Sequence, residues 1–317
     1  MEKKKPIGQR LAAYSSFAGL ALLVILYLVL MGGNLNAFAL KTILNQTVIT
    51  AVVATGAVFI YTTGAFDISL GAEVAVAALT GAYAYLATDS ILIMLLVCVG
   101  LAVFIGAFNS ILANVFNLPV FVTTIAMLSI LNAIVKVLIN ASGGANVKVP
   151  KEAVKPFDTV AVKLVVLIGF FAVCVVLFRY LKIGREEKFI GGNPVCANLT
   201  GINARKLTIL AFMIAGFGAG LSAFLYILRS PTLSSDTASS IGMDVMISIV
   251  FGGMPISGGA RSKISSALIG ATSMVLLSQI MQILNLGSGV NQLVKGLLFL
   301  VVVSLASANY RSELLPR

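Results

Sequence analysis

The chain has no histidine among its 317 residues, which excludes imidazole-ligated metal sites and histidine acid–base chemistry. Charge is also scarce. Asp, Glu, Lys and Arg make up 10% of the residues, where a soluble domain carries about a quarter. Its three cysteines, Cys98, Cys174 and Cys196, are scattered and give neither a metal-ligand spacing nor a disulfide framework. A G-x-x-x-x-G-K-[ST] loop is missing too. The glycine pairs at 191–192, 252–253 and 258–259 are not followed by Gly-Lys-Ser/Thr, so this chain is not expected to bind ATP or any other cofactor. The acids in or beside apolar runs are Asp67, Glu73 and Asp244. Glu73 lies six residues after Asp67 and Asp244 is far from both, which suggests no chain of buried carboxylates for proton relay.

Apolar sequence takes the place of charge. Hydrophobic residues make up 59% of the chain and mean hydropathy is +1.05, which indicates an integral membrane protein. Leu11 to Met31 is 21 residues without a charge, enough to cross about 30 Å of hydrocarbon as a helix. It is too long for a signal peptide and has no small-residue cleavage site, so it is kept as a span. Eight further spans are expected at about 43–62, 68–87, 91–116, 120–140, 161–181, 207–228, 264–284 and 290–308. A tenth segment, Met243 to Ile256, is short and contains glycine, so it crosses, dips or re-enters. The expected fold is an all-α polytopic bundle of about ten transmembrane helices, with residues 1–317 forming one membrane domain.

The net charge of +11 lies between apolar segments, without the basic stripe and interleaved aromatics of a nucleic-acid surface, so it reads as membrane topology. With an inside N-terminus and ten crossings, the cytoplasmic side receives the N-terminal lysines, the cluster from Arg179 to Lys206, Arg261 and Lys263, and Arg311 and Arg317. Both termini are then cytoplasmic. Lys148, Lys151 and Lys155, with Arg229, give the outer face a basic character suited to acidic groups on a partner. The segment 181–207, "LKIGREEKFIGGNPVCANLTGINARKL", concentrates charge between two apolar runs. It is long for a bundle connection, and its glycine breaks suggest a short folded element presented to a partner.

In this passage Gly184-Arg185, Gly191-Gly192-Asn193 and Thr200-Gly201-Ile202-Asn203 resemble the cytoplasmic loop of ribose-type permease subunits of bacterial ABC importers, G-R-x-x-Y-A-x-G-G-N-x-x-A-A-x-x-S-G-I-N. Lys188-Phe189 replaces Tyr-Ala, Cys196 replaces Ala and Thr200 replaces Ser. "GAFDISLG", Gly64 to Gly71, resembles G-G-I-D-L-S-V-G. "MDVMISIVFGGMPISGG", Met243 to Gly259, resembles L-D-A-I-A-A-V-V-L-G-G-x-x-x-x-G-G, with Gly242 where Glu is usual. The resemblance implies a non-catalytic transport subunit in the plasma or inner membrane, moving a sugar or similar small polar solute. It implies three partners: a separate ATPase subunit that uses the ATP, an extracytoplasmic substrate-binding protein and a second permease copy. Residues 182–206 would be the ATPase-coupling loop, with Gly184, Arg185, Glu186, Glu187, Gly191, Gly192, Asn193, Gly201 and Asn203 in it. A nucleoside-type ABC permease, an ion-coupled secondary transporter seeded on Asp67 and Asp244, and a channel or scaffold are the alternatives.

Asp67 and Ser69 are candidates to cap the helix that follows them, and an ionisable residue at a membrane helix end is a functional candidate. Gly216 and Gly220 have the small-xxx-small spacing of close helix packing. Neutral amides and hydroxyls within spans suit an uncharged polyol. Asn45, Gln46 and Thr47, Asn109, Ser110 and Asn114, Thr123, Thr124 and Asn132, and Ser278, Gln279 and Gln282 outline the pathway so expected. Of these, Asn109, Asn114 and Asn132, together with Asp67, Ser69 and Asp244, are the pathway or hinge candidates.

Overall fold

The computed structural model describes residues 7–32 and 36–314; the terminal residues Lys3, Lys4, Lys5 and Arg317, used above for orientation, lie outside them. Helices α1 (Ile7–Leu30), α2 (Ala37–Thr62), α3 (Leu70–Thr88), α4 (Ile91–Val115) and α5 (Val120–Ala141) come first. Strand β1 (Val147–Lys148) and the short α6 (Lys151–Val154) follow. Helix α7 (Val160–Val175) runs on as five residues of π-helix, Val176–Tyr180. Then come α8 (Lys182–Gly192), α9 (Pro194–Leu199), α10 (Ala204–Arg229), β2 (Thr232–Leu233), α11 (Ile241–Phe251), α12 (Ser265–Ile283) and α13 (Ser288–Leu314).

Among the described residues seven helices are long and apolar enough to cross a membrane: α2, α3, α4, α5, α7 with its π-helical extension, α10 and α12. They coincide with seven of the nine clear spans read from the sequence. Of α1 and α13 only the stretches Ser16–Leu30 and Gly289–Val301 enter this comparison, so among the described residues seven full spans are counted and not ten. The short tenth segment is Ile241–Phe251, a half-helix with seven of its eleven residues buried and Met243 exposed. Eleven residues at 1.5 Å each cannot span hydrocarbon alone. Its connection does run from one end of the bundle to the other. Thr232 and Leu233 pair with Lys148 and Val147 in a two-stranded ladder, while the Gly259 amide donates to the Thr62 carbonyl at 2.9 Å, at the end where α8 packs.

Close helix packing centres on α10, which lies against α4 and α2. A Cβ on Gly216 would come within 2.5 Å of the Ala102 carbonyl oxygen, and one on Gly220 within 2.5 Å of the Val99 Cα. The small-residue spacing is therefore a packing feature, as expected in a medium that supplies no hydrophobic drive between helices. Many side chains of α2 and α3 are buried, whereas α4, α5 and α7 turn Leu96, Phe104, Val137 and Val165 outward. A bundle whose outer helices present large apolar side chains is matched to lipid.

Candidate functional site

Residues 182–206 form helices rather than an open loop. Asn193 ends α8, and its side-chain oxygen accepts from the amides of Val195 and Cys196 at 3.0 and 3.1 Å, capping α9 with Pro194 at its first position. Asn203 caps α10 by accepting from the Lys206 amide at 3.0 Å. Gly201 turns the chain between them with φ +82°, where glycine is favoured. Asn193, Gly201 and Asn203 thus shape the element.

The inward face of α8 carries Gly184, Glu187, Ile190 and Gly191. A Cβ on Gly184 would overlap the Phe178 backbone, and one on Gly191 the Thr62 carbonyl. Gly192 has nothing within 4 Å of that position. Glu187 was grouped with a coupling surface, yet it is fully buried and neither carboxylate oxygen has a hydrogen-bond partner. Burial pushes its carboxyl well above the usual carboxylate range, with the Lys188 charge opposing. The Lys188 ammonium sits 4.3 Å from the centre of the Phe178 ring, and its own desolvation lowers its pKa. The outward face carries exposed Arg185 and half-buried Glu186. Phe189 of α8 and Val195 and Leu199 of α9 are also exposed.

The main cavity lies at the opposite side of the bundle, with a volume of about 790 Å³. Its walls come from α2, α10, α11, α12 and α13, including Gln46, Thr50, Ser239, Ser240, Ser278 and Gln282. Asp244 of α11 and Lys295 of α13 meet at 2.6 Å on its wall. Arg229, assigned above to the outer face, also lines the cavity and is half-buried. Gln279 donates to Gln46 at 2.9 Å, fixing one wall amide. A smaller cavity of about 200 Å³ shares Ser239 and Met243 with it and adds Asn132, Gly71 and Gly242.

Several expected pathway residues are employed elsewhere. Asn45 accepts from buried Lys163 at 2.8 Å, and Lys163 also pairs with Asp158. Asn114 donates to the carbonyl of Ser110 at 2.8 Å within its own helix. Asp67 accepts from the Ser69 amide at 2.7 Å and the Ser69 hydroxyl at 2.6 Å, but Ser69 makes no side-chain cap bond to α3. Asn109 donates to Ser69 at 3.0 Å and to Glu73 at 2.9 Å. Asp67 and Glu73 are therefore joined through Ser69, with Asn109 bonding Ser69 and Glu73. Lys295 and Arg229 were missed as cavity residues. The single basic residue inside the last apolar run was the available signal for Lys295.

The family described as branched-chain amino acid transport system / permease component matches residues 39–303. The probable ABC transporter permease protein YphD of Escherichia coli K12 is 30% identical over 196 residues, 60% of this chain and 57% of that protein. The ribose import permease protein RbsC of Haemophilus influenzae is 25% identical over 311 residues, 94% of each chain. The autoinducer 2 import system permease protein LsrC of Yersinia pseudotuberculosis is 25% identical over 295 residues, 90% of this chain and 83% of that one. No solved structure matches.

Proposed function

The chain belongs to the branched-chain amino acid transport system / permease component family, and on that footing we propose that it is the membrane subunit of an ABC importer for a sugar or similar small polar solute. The relatives named for ribose and autoinducer 2 import support this class of cargo. The observation that carries the reading is the cavity of about 790 Å³, within the usual range of roughly 300–1,000 Å³ for small-molecule sites. Neutral amides and hydroxyls of Gln46, Thr50, Ser278 and Gln282 line it beside the Asp244–Lys295 pair and Arg229. The amides and hydroxyls exchange hydrogen bonds with a hydroxylated solute without adding fixed charge.

In this reading ATP is spent by a separate ATPase that docks on α8 and α9. Arg185, Phe189, Val195 and Leu199 supply a mixed charged and apolar surface there. The inward glycines seat α8 on Thr62 and Phe178, so a push on α8 reaches α2 and the π-helical end of α7 directly. The α8 end and both termini face the cytoplasm, an extracytoplasmic binding protein meets the β1–β2 end, and a second copy of the chain completes the transporter.

The test is uptake into vesicles containing the chain with its ATPase and binding protein. Accumulation of labelled monosaccharide should require ATP and fall at least tenfold in Gln282→Leu. Uptake that persists with a hydrolysis-deficient ATPase would make the chain a secondary transporter instead.

A further inference from the structure

The cluster at the start of α3 is short of hydrogen-bond donors. Asp67 and Glu73 are 1% and 0% exposed, and Asn109 is 1% exposed. One oxygen of each carboxylate is served: Asp67 Oδ1 by the Ser69 amide and hydroxyl, Glu73 Oε1 by the Asn109 amide. The Ser69 hydroxyl has one hydrogen, and it also lies 3.2 Å from Glu73 Oε1, so it cannot satisfy both acids. Asp67 Oδ2, Glu73 Oε2, Asn109 Oδ1 and the Tyr61 hydroxyl have no hydrogen-bond partner. Three of these four atoms are pure acceptors, and the fourth is a neutral hydroxyl.

Among the described residues no cationic side chain is among the groups that bond the two carboxylates. The elements around them offer Tyr61 from α2, Ser69 from the connection and Asn109 from α4, while Thr124 of α5 turns its hydroxyl to backbone carbonyls. Asp244, the third acid singled out in the sequence, is taken by Lys295. Two buried charges without a counter-charge are not sustained, because such groups neutralise instead. Adding one hydrogen is the smallest change that removes a charge and creates the missing donor.

We propose that Asp67 and Glu73 form a proton-binding site in which the pair shares one proton in the folded chain at neutral pH. Losing that proton places two charges in one buried cluster and loosens the connection 63–69. That connection begins beside Thr62, whose carbonyl receives Gly259 and abuts Gly191 of α8. The state of the pair is therefore transmitted to the seat of α8. Burial pushes Asp67 itself up to about 6, in agreement with the geometry. Protons belong to such a pair jointly and not to one residue.

The site requires no partner subunit, so the permease chain alone in detergent tests it, and failure would leave the transport reading untouched. Glu187→Gln is used as the background to remove the other unpartnered acid. Infrared spectra of this chain at pH 7 should show the carbonyl band of a protonated, buried carboxylic acid, and Glu73→Gln should abolish it. Thermal stability of the background chain should fall from pH 5 to pH 8 and become flat in Glu73→Gln. Absence of the band in the background chain overturns the proposal even if Glu73→Gln fails to fold. Stabilisation by added Na⁺ or Ca²⁺ that disappears in Glu73→Gln would assign the site to a metal ion and overturn it equally.

Discussion

The Thr62 carbonyl and the Gly259 amide are hydrogen-bonded at 2.9 Å, and Gly191 presses on the same carbonyl so closely that a Cβ would overlap it. Three separate stretches of chain therefore meet at one backbone oxygen: the end of α2, the connection after α11, and α8. Methyl insertion at Gly191 must displace backbone, which costs typically 1–3 kcal/mol. Gly191→Ala should lower thermal stability accordingly and suppress substrate-stimulated ATP hydrolysis in the complete transporter. Gly192→Ala should do neither, since nothing lies within 4 Å of its Cβ position. Neither glycine has a positive φ, and close approach at Gly191 alone is the reason. Equal effects of the two substitutions would contradict this division.

Cys196 is exposed on α9, while Cys98 and Cys174 are buried. The natural chain therefore carries a reporter for its own orientation. An impermeant thiol reagent should leave intact cells unlabelled, modify Cys196 in inside-out vesicles, and be blocked there once the ATPase is bound. A cysteine at Ser262 would report poorly, because that side chain is 3% exposed. Lys263 beside it is exposed and gives the second reporter. Labelling of either position from outside the cell would invert the proposed topology.

Asp244 and Lys295 hold α11 to α13 across the cavity wall, with side chains 15% and 7% exposed. Removing one partner of a buried pair costs roughly 3–5 kcal/mol, because the remaining charge loses its counter-charge. Lys295→Met should fall near the lower end of that range, since the cavity reaches Asp244. Adding Asp244→Asn should recover part of the loss. A double variant no more stable than Lys295→Met would mean that the pair's worth lies elsewhere. Denaturation of the purified chain in detergent reads both.

Elements set by local pattern were legible in the sequence, and elements set by distant contacts were not. Apolar run length marked α2, α3, α4, α5, α7, α10 and α12, and the glycine breaks around 191 and 201 marked the folded α8–α9 element. Gly216 and Gly220 announced close packing through their spacing alone. The cavity was half legible: Gln46, Ser278 and Gln282 line it, whereas Asn45 and Asn114 are held by Lys163 and by their own helix. Polarity inside a span shows that a partner exists but not which one. The bonds from Asn109 to Ser69 and Glu73 depend on α4 returning antiparallel beside α3. No local pattern encodes that register.

Glu187 gives the last prediction. It sits between Gly184 and Gly191 on the inward face of α8, fully buried, with both oxygens unpartnered. Burial raises its folded-state pKa well above the ordinary value, so the folded chain holds a proton there that the unfolded chain releases. Stability associated with Glu187 is complete below its unfolded pKa of about 4.3 and declines as pH rises toward the folded value. Across that window each pH unit removes about 1.4 kcal/mol for one extra bound proton. Glu187→Gln has no proton to lose. Its stability should decline less steeply with pH by that amount, and it should overtake the natural chain as pH rises from 5 to 8. Denaturation in detergent at several pH values makes the comparison. Parallel curves for the two chains would show that Glu187 is ionised in the fold, with a partner that its buried position conceals.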